Sequence, residues 1–440
     1  MEKANLVEAA QTVLQLNERE GFTIPAEGLY PHQWLWDSCF IAIGLRHYDT
    51  KRAQQEILSL LRGQWANGML PHMMLDSGIL HRQDREIWRS YVSPNAPDKI
   101  ATSGITQPPM LAEAVVQVGK KLSRIERHTW YRRVFTSLVA YHEWLYAERD
   151  PHQEGLTLQI HPWETGLDNN PAWVSELREH QMPTWIRLIG KLHLDRLFTF
   201  MRRDTRFVPP GQRLTTLDAL AFYSVQHRLR RKQYDIRRVL NHSLFAIEDL
   251  AFNCIFIRAN KHLRHIAKTI GEDLPKPLID NMAKTENALD QLWDAYSAQY
   301  YSRNFVTHNL IKTTTIATLL PLYAGCISKE RAKRLVELLH STMQYGPKYP
   351  VPSVAISSEW FSEHRYWQGP TWLNTNWLVV QGLKHYGYHE EAEKIISSSL
   401  KLVEQSGFSE YFSPLDGSPA GAKNFSWTAA LTIDFLKTQP

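Results

Sequence analysis

Two carboxylates lie far apart in this chain, each in a setting dense with aromatic, glycine and proline residues. Asp168 falls in His161-Pro162-Trp163-Glu164-Thr165-Gly166-Leu167-Asp168-Asn169-Asn170-Pro171, and Glu410 in Gly407-Phe408-Ser409-Glu410-Tyr411-Phe412-Ser413-Pro414. A carboxyl pair is the minimal equipment for splitting a glycosidic bond: one group protonates the leaving oxygen while the other activates water or attacks. Rings around such a pair suit a sugar, whose C–H faces stack on aromatics while its hydroxyls seek polar partners. An acid set among apolar rings has its pKa raised, which a proton donor near neutral pH requires. Asp168 reads alternatively as a turn residue, and Glu164 as its supporting partner or as the acid itself.

Other stretches have the same character. Tyr30-Pro31-His32-Gln33-Trp34-Leu35-Trp36-Asp37-Ser38 places two tryptophans two residues apart, on one side of an extended approach. Asp37 follows as a hydroxyl-gripping carboxylate or, equally, as a helix-start aspartate behind two core rings. Gln107 precedes Pro108-Pro109, a helix entry that offers an amide to a ligand. Arg365-Tyr366-Trp367-Gln368-Gly369-Pro370-Thr371-Trp372 opens a further helix with Trp367, Gln368 and Trp372 at its rim, and Tyr411 adjoins Glu410. No GxSxG elbow, GxGxxG or Walker loop, HExxH or cysteine-rich cluster is present. Neither a cofactor nor a metal is expected.

Helical periodicity supplies the elements that must hold these residues. Ala392, Ile395, Ile396, Leu400 and Val403 form one amphipathic stripe, and Leu335, Leu338 and Leu339 follow a cap at Ser328. Similar patterns predict helices near 4–17, 38–47, 51–62, 109–122, 128–148, 215–232, 237–271, 275–297, 310–325, 371–386 and 424–437, with a break inside 237–271. The intervening stretches 63–107, 150–180, 298–309, 343–369 and 405–423 are too long for plain connections. They also hold most of the unusual residues. No linker divides the 440 residues. A single all-α domain over 1–440 is expected: a toroid of two concentric helix rings, with insertions at 63–107, 150–180 and 343–369 forming a cup. A helix-pair solenoid would show a fixed repeat, and none is visible.

Composition excludes several classes. The formal charge of +5 is small for this length, and the basic run from His227 to Gln233 reads as a solvated helix face without a nucleic-acid motif. Three unpaired cysteines fit neither a disulfide framework nor a zinc site, and no run reaches a membrane span. A cytoplasmic enzyme with no nucleic-acid or membrane partner is expected, and a homo-oligomer is compatible with all of this.

Taken in order and spacing from Tyr30 to Trp427, these motifs resemble glycoside hydrolase family 63, in its branch of mannosylglycerate and glucosylglycerate hydrolases. The resemblance implies an (α/α)6 barrel and metal-free hydrolysis with inversion of a small α-glucoside or α-mannoside, such as a glycosyl-glycerate solute. It implies that Asp168 is the general acid and Glu410 the general base. Tyr30, Trp34, Trp36, Asp37, Gln107, Trp367, Gln368 and Trp372 then resemble the sugar-site wall, with Trp163, Glu164 and Tyr411 beside the catalytic pair. The family's Tyr-x-Arg-x-Asp segment is only partly matched by Trp185-Ile186-Arg187-Leu188-Ile189, which leaves Arg187 as the candidate carboxylate clamp. A sugar isomerase or 2-epimerase, working through converging histidines, is the rival class. A non-catalytic sugar-binding protein with one carboxylate turned outward is the third.

Overall fold

Twelve helices alternate between an inner and an outer ring in the computed structural model, which describes residues 3–76, 78, 82–177, 182–241, 243 and 245–438. Residues 77, 79–81 and 178–180 of the expected insertions lie outside the described residues. The outer ring comprises α1 (Lys3–Leu16), α3 (Thr50–Leu61), α5 (Arg124–Arg149), α7 (Lys276–Ala288), α9 (Lys329–Glu337) and α11 (His389–Ser406). The inner ring comprises α2 (Leu35–Leu45), α4 (Leu111–Gly119), α6 (Leu250–Ile270), α8 (Pro321–Ala324), α10 (Leu373–His385) and α12 (Ser426–Thr438). Each inner helix packs on the next, and α12 returns to α2, so the ring closes into a helical barrel.

Burial follows from the two positions. Every residue of α2 and of α4 is buried, as a helix enclosed on all sides requires. On α3 only one stripe is buried, including Ala53, Ile57 and Leu60, and the other face meets water. Capping sets several boundaries. Ser123 and Glu126 form a reciprocal capping box, which starts α5 four residues before the expected 128. Asp249 accepts from the Phe252 amide at 2.8 Å and starts α6 afresh.

The break expected inside 237–271 is present, and two other expected helices are corrected. The 237–271 stretch divides into a short helix, Ile236–Leu240, then strand Ile247–Glu248, then α6. The helix expected over 310–325 reduces to a 3-10 turn, Ile316–Leu319, followed by α8, because the β-branched run Thr313-Thr314-Thr315 disfavours helix and Pro321 suits only a first turn. The 275–297 segment leaves the helix at Ala288 and ends in a hairpin pairing Trp293 with Tyr300. The remaining strands among the described residues are antiparallel two-residue pairs that fasten the long loops. No helix among the described residues is long and apolar enough to cross a membrane.

Candidate active site

Four of the inner helices, α2, α4, α10 and α12, bring residues at or just before their N-terminal ends to one cavity of about 950 Å³. Trp36 and Asp37 stand in the first turn of α2, Gln107 just before α4, Trp367 before α10 and Trp427 in the first turn of α12; all five line the cavity. Strand Gln33–Trp34 pairs with Met73–Met74 and delivers Trp34 as the residue before α2. The helix therefore begins ahead of Trp36, and the extended approach expected from the sequence stops at Trp34.

Asp168 is presented by a braced loop. His161 accepts from the Trp163 amide at 3.1 Å and Pro162 opens a 3-10 turn that ends at Gly166, whose φ is 75°. A Cβ at Gly166 would stand 2.7 Å from the Trp36 ring, so only glycine suits this position. Asn170 caps the following helix by accepting from the Ala172 amide at 3.0 Å, and the Trp173 indole donates to the Asp168 carbonyl at 3.2 Å. Glu410 sits beside the strand Tyr411–Phe412, which pairs with Pro419–Ala420. Its Oε2 accepts from the Ala422 amide at 2.8 Å, and at Gly421 an added Cβ would lie 2.5 Å from that oxygen.

Two phenols connect the carboxylates. The Tyr30 hydroxyl donates to Glu410 Oε1 at 2.7 Å, the Tyr30 and Tyr366 hydroxyls are 3.4 Å apart, and the Tyr366 hydroxyl donates to Asp168 Oδ2 at 3.2 Å. Laid end to end these contacts stay within the upper limit of roughly 6.5–9.5 Å that an inverting carboxyl pair needs to admit water. Arg213 lies beside them: its Nη1 donates to the Tyr30 hydroxyl at 2.7 Å and to Glu410 Oε1 at 3.2 Å, and its guanidinium covers the Tyr366 ring at 4.0 Å. Arg213 Nε is buried with no hydrogen-bond acceptor among the described residues.

The surroundings separate the acids electrostatically. Burial pushes the Asp168 carboxyl up to about 7, against the opposing pull of Arg213 and the Tyr366 hydrogen bond. Burial likewise raises Asp37 well above the usual carboxylate range, opposed by a backbone hydrogen bond and reinforced by the charges of Glu410 and Asp168. Glu410 accepts from three donors, the Tyr30 hydroxyl, Arg213 Nη1 and the Ala422 amide.

Of the residues singled out in the sequence, Tyr30, Trp34, Trp36, Asp37, Gln107, Trp163, Asp168, Trp367 and Glu410 line the cavity. Others stand behind the wall. Glu164 is fully buried, accepting from Arg149 Nη2 at 2.7 Å and from the Ile160 amide at 2.8 Å, so it braces the acid loop. Gln368 donates to the Asn169 carbonyl at 2.8 Å and ties that loop to the one bearing Trp367. Trp372 stacks behind Trp367 at 3.8 Å, and Tyr411 packs on Trp372 at 4.4 Å. Arg187 is exposed on the helix Thr184–Lys191 and is not among the lining residues. The cation beside the carboxyl pair is Arg213 instead.

Sequence reasoning missed Arg213, Tyr366, Phe425 and Trp427 as cavity residues. Tyr366 lay inside the stretch marked from Arg365 to Trp372, and Phe425-Ser426-Trp427 is an aromatic pair spaced two apart like Trp34 and Trp36. Arg213 had none, since Gln212-Arg213-Leu214 resembles any polar turn. No histidine is among the described lining residues, which removes the basis of the isomerase reading.

A mannosylglycerate hydrolase MGH1-like glycoside hydrolase domain matches residues 30–428. The chain belongs to that family. It is 38% identical to the mannosylglycerate hydrolase of Thermus thermophilus over 96% of this chain and 99% of that protein. The glucosylglycerate hydrolase of Mycolicibacterium hassiacum is 29% identical over 98% of this chain and 97% of its own. The crystal structure of a family 63 mannosylglycerate hydrolase from Thermus thermophilus, in complex with Tris and D-glycerate, superposes with a TM-score of 0.87 at 38% identity, covering 98% of this chain and 99% of that one.

Proposed function

We propose that this glycoside hydrolase cleaves a small α-mannosyl or α-glucosyl glycerate with inversion at the anomeric carbon. The observation that carries the reading is the pair Asp168 and Glu410, facing one cavity and joined through Tyr30 and Tyr366. Asp168, protonated near neutral pH, gives its proton to the glycosidic oxygen as the C1–O bond breaks. Glu410 takes a proton from a water that forms the new C1–O bond on the opposite face. Free sugar and glycerate leave, and the two carboxyl groups exchange their proton back through solvent.

Trp36, Trp367 and Trp427 supply stacking surface at the cavity floor, and Asp37 and Gln107 supply partners for hydroxyls. The buried indole N–H groups of Trp34 and Trp427 have no acceptor among the described residues, and a sugar hydroxyl suits each. The Arg213 guanidinium, beside the carboxyl pair, suits the carboxylate of the leaving acid. All three cysteines are free, which supports a reducing, cytoplasmic setting. Anomeric proton NMR during hydrolysis of α-mannosyl-D-glycerate and α-glucosyl-D-glycerate tests the reading. The β-sugar should appear first, and Asp168→Asn should lose about 10²–10⁴ in kcat. First appearance of the α-sugar, or a near-normal Asp168→Asn enzyme, overturns it.

A further inference from the structure

The outer part of the cavity differs chemically from its floor. The rim helix Thr216–Arg231, started by the Thr215–Asp218 capping box, turns Thr216, Ala219, Leu220 and Tyr223 toward the cavity. Their spacing of i, i+3, i+4 and i+7 makes one continuous helix face. Ile87, Phe198 and Leu214 complete this outer wall. These seven side chains are apolar apart from two hydroxyls, while Gln83 and Asp204 bring an amide and a carboxylate to the same cavity. A three-carbon acid is polar at every carbon and has no surface to match such a wall.

The rim is also cationic. Arg202, Arg203, Arg206 and Arg213 all line the cavity. Arg202 is held by Asp204 at 2.6 Å and Arg203 by Asp84 at 2.9 Å. Arg213 Nε faces Asp204 Oδ2 at 3.8 Å, an ion pair too long for a hydrogen bond. At about 950 Å³ the cavity lies near the top of the roughly 300–1,000 Å³ range for small-molecule sites. Ala219 contributes to that room, being the smallest side chain on the cavity face of the rim helix.

We infer that the leaving-group subsite accepts a hydroxy acid with a bulky apolar body, an aryl- or alkyl-substituted 2-hydroxy acid, with its carboxylate on Arg213 and its apolar part against Ala219, Leu220 and Phe198. This rests on the proposed glycosyl-glycerate hydrolysis and extends the range of acid that the same site releases. Burial of the apolar body against the rim adds binding that glycerate cannot make.

The test is a comparison of kcat/KM for the α-mannosyl and α-glucosyl derivatives of D-glycerate and of D-3-phenyllactate, on the unmodified full chain. The phenyllactyl glycoside of the accepted sugar should match or exceed its glyceryl counterpart. A value more than threefold lower overturns the inference while leaving glycosyl-glycerate hydrolysis standing. Cleavage of none of the four overturns both. Ala219→Phe, which fills the space, should lower the phenyllactyl-to-glyceryl ratio of kcat/KM at least fivefold. The ratio is insensitive to loss of folded enzyme, and a smaller change contradicts the assignment.

Discussion

Asp168 and Glu410 carry the same functional group, and the side chains around them treat the two differently. The Asp168 carboxyl receives one phenol, and burial lifts it to about 7. Glu410 receives a phenol, a guanidinium and a backbone amide. In the proposed reaction the acid must enter protonated, so kcat should fall as pH rises through about 7. Tyr366 donates to Asp168, and that bond favours the charged form and holds the pKa down. Tyr366→Phe should therefore move the alkaline limb of kcat to higher pH. A profile that stays in place, or shifts downward, contradicts Asp168 as the titrating acid. Both carboxylates were legible as sequence because loop acids amid Trp, Gly and Pro have few structural uses. Tyr30 was legible as a wall residue, but its approach to Tyr366 was not, since the two positions, 336 apart in sequence, meet only once the intervening chain has folded.

The acid loop is precise because several elements brace it from behind. Glu164 ties it to Arg149 at the end of α5 and to the amides of Ile160 and Thr106, all without contact with the cavity. Asn169 accepts from the Trp367 amide at 2.8 Å and, through its carbonyl, from Gln368, joining the acid loop to the loop before α10. Removing one charge of a buried pair costs about 3–5 kcal/mol, because the partner is left uncompensated. Glu164→Gln should accordingly lower the melting temperature by several degrees. The folded fraction should keep an alkaline kcat limb near the unmodified enzyme's, whereas Asp168→Asn removes most of the turnover. Loss of that limb in Glu164→Gln would make Glu164 the acid. Sequence alone left the two acids undivided, since they stand four residues apart in one motif. What sets Glu164 apart in the structure is its pairing with Arg149, which belongs to another element. Arg187 illustrates the opposite error: its motif neighbours were suggestive, yet its helix directs it outside the cavity lining.

At the scale of the whole barrel, chemistry occupies the N-terminal end of the inner ring, and buried ion pairs fasten helices further along. Asp434 on α12 accepts from Arg46 Nη2 at 2.7 Å just past α2 and from the Trp377 indole of α10 at 2.8 Å, with His47 Nε2 at 2.7 Å. One carboxylate thus links three neighbouring inner helices. Glu113 on α4 does the same for α6 and α8, with His262 Nε2 at 2.7 Å and the Tyr323 hydroxyl at 2.8 Å. Helix count, the undivided chain and the gathering of unusual residues in long loops made the toroid readable. The partners of these buried acids were not readable, because they meet only across the folded ring. Burial raises the Asp434 pKa, but the His47 hydrogen bond, the Arg46 charge and the Trp377 hydrogen bond outweigh it, leaving the carboxyl below its usual value. A depressed carboxyl pKa contributes stability that is present above the unfolded value and lost as pH falls through the folded one. Asp434→Asn should therefore destabilise the protein at neutral pH, by about 3–5 kcal/mol for a broken buried pair. The gap from the unmodified protein should narrow as pH falls below the ordinary aspartate range. Thermal melts from neutral to acidic pH measure both effects, and a constant gap would show that Asp434 does not hold the ring through its charge.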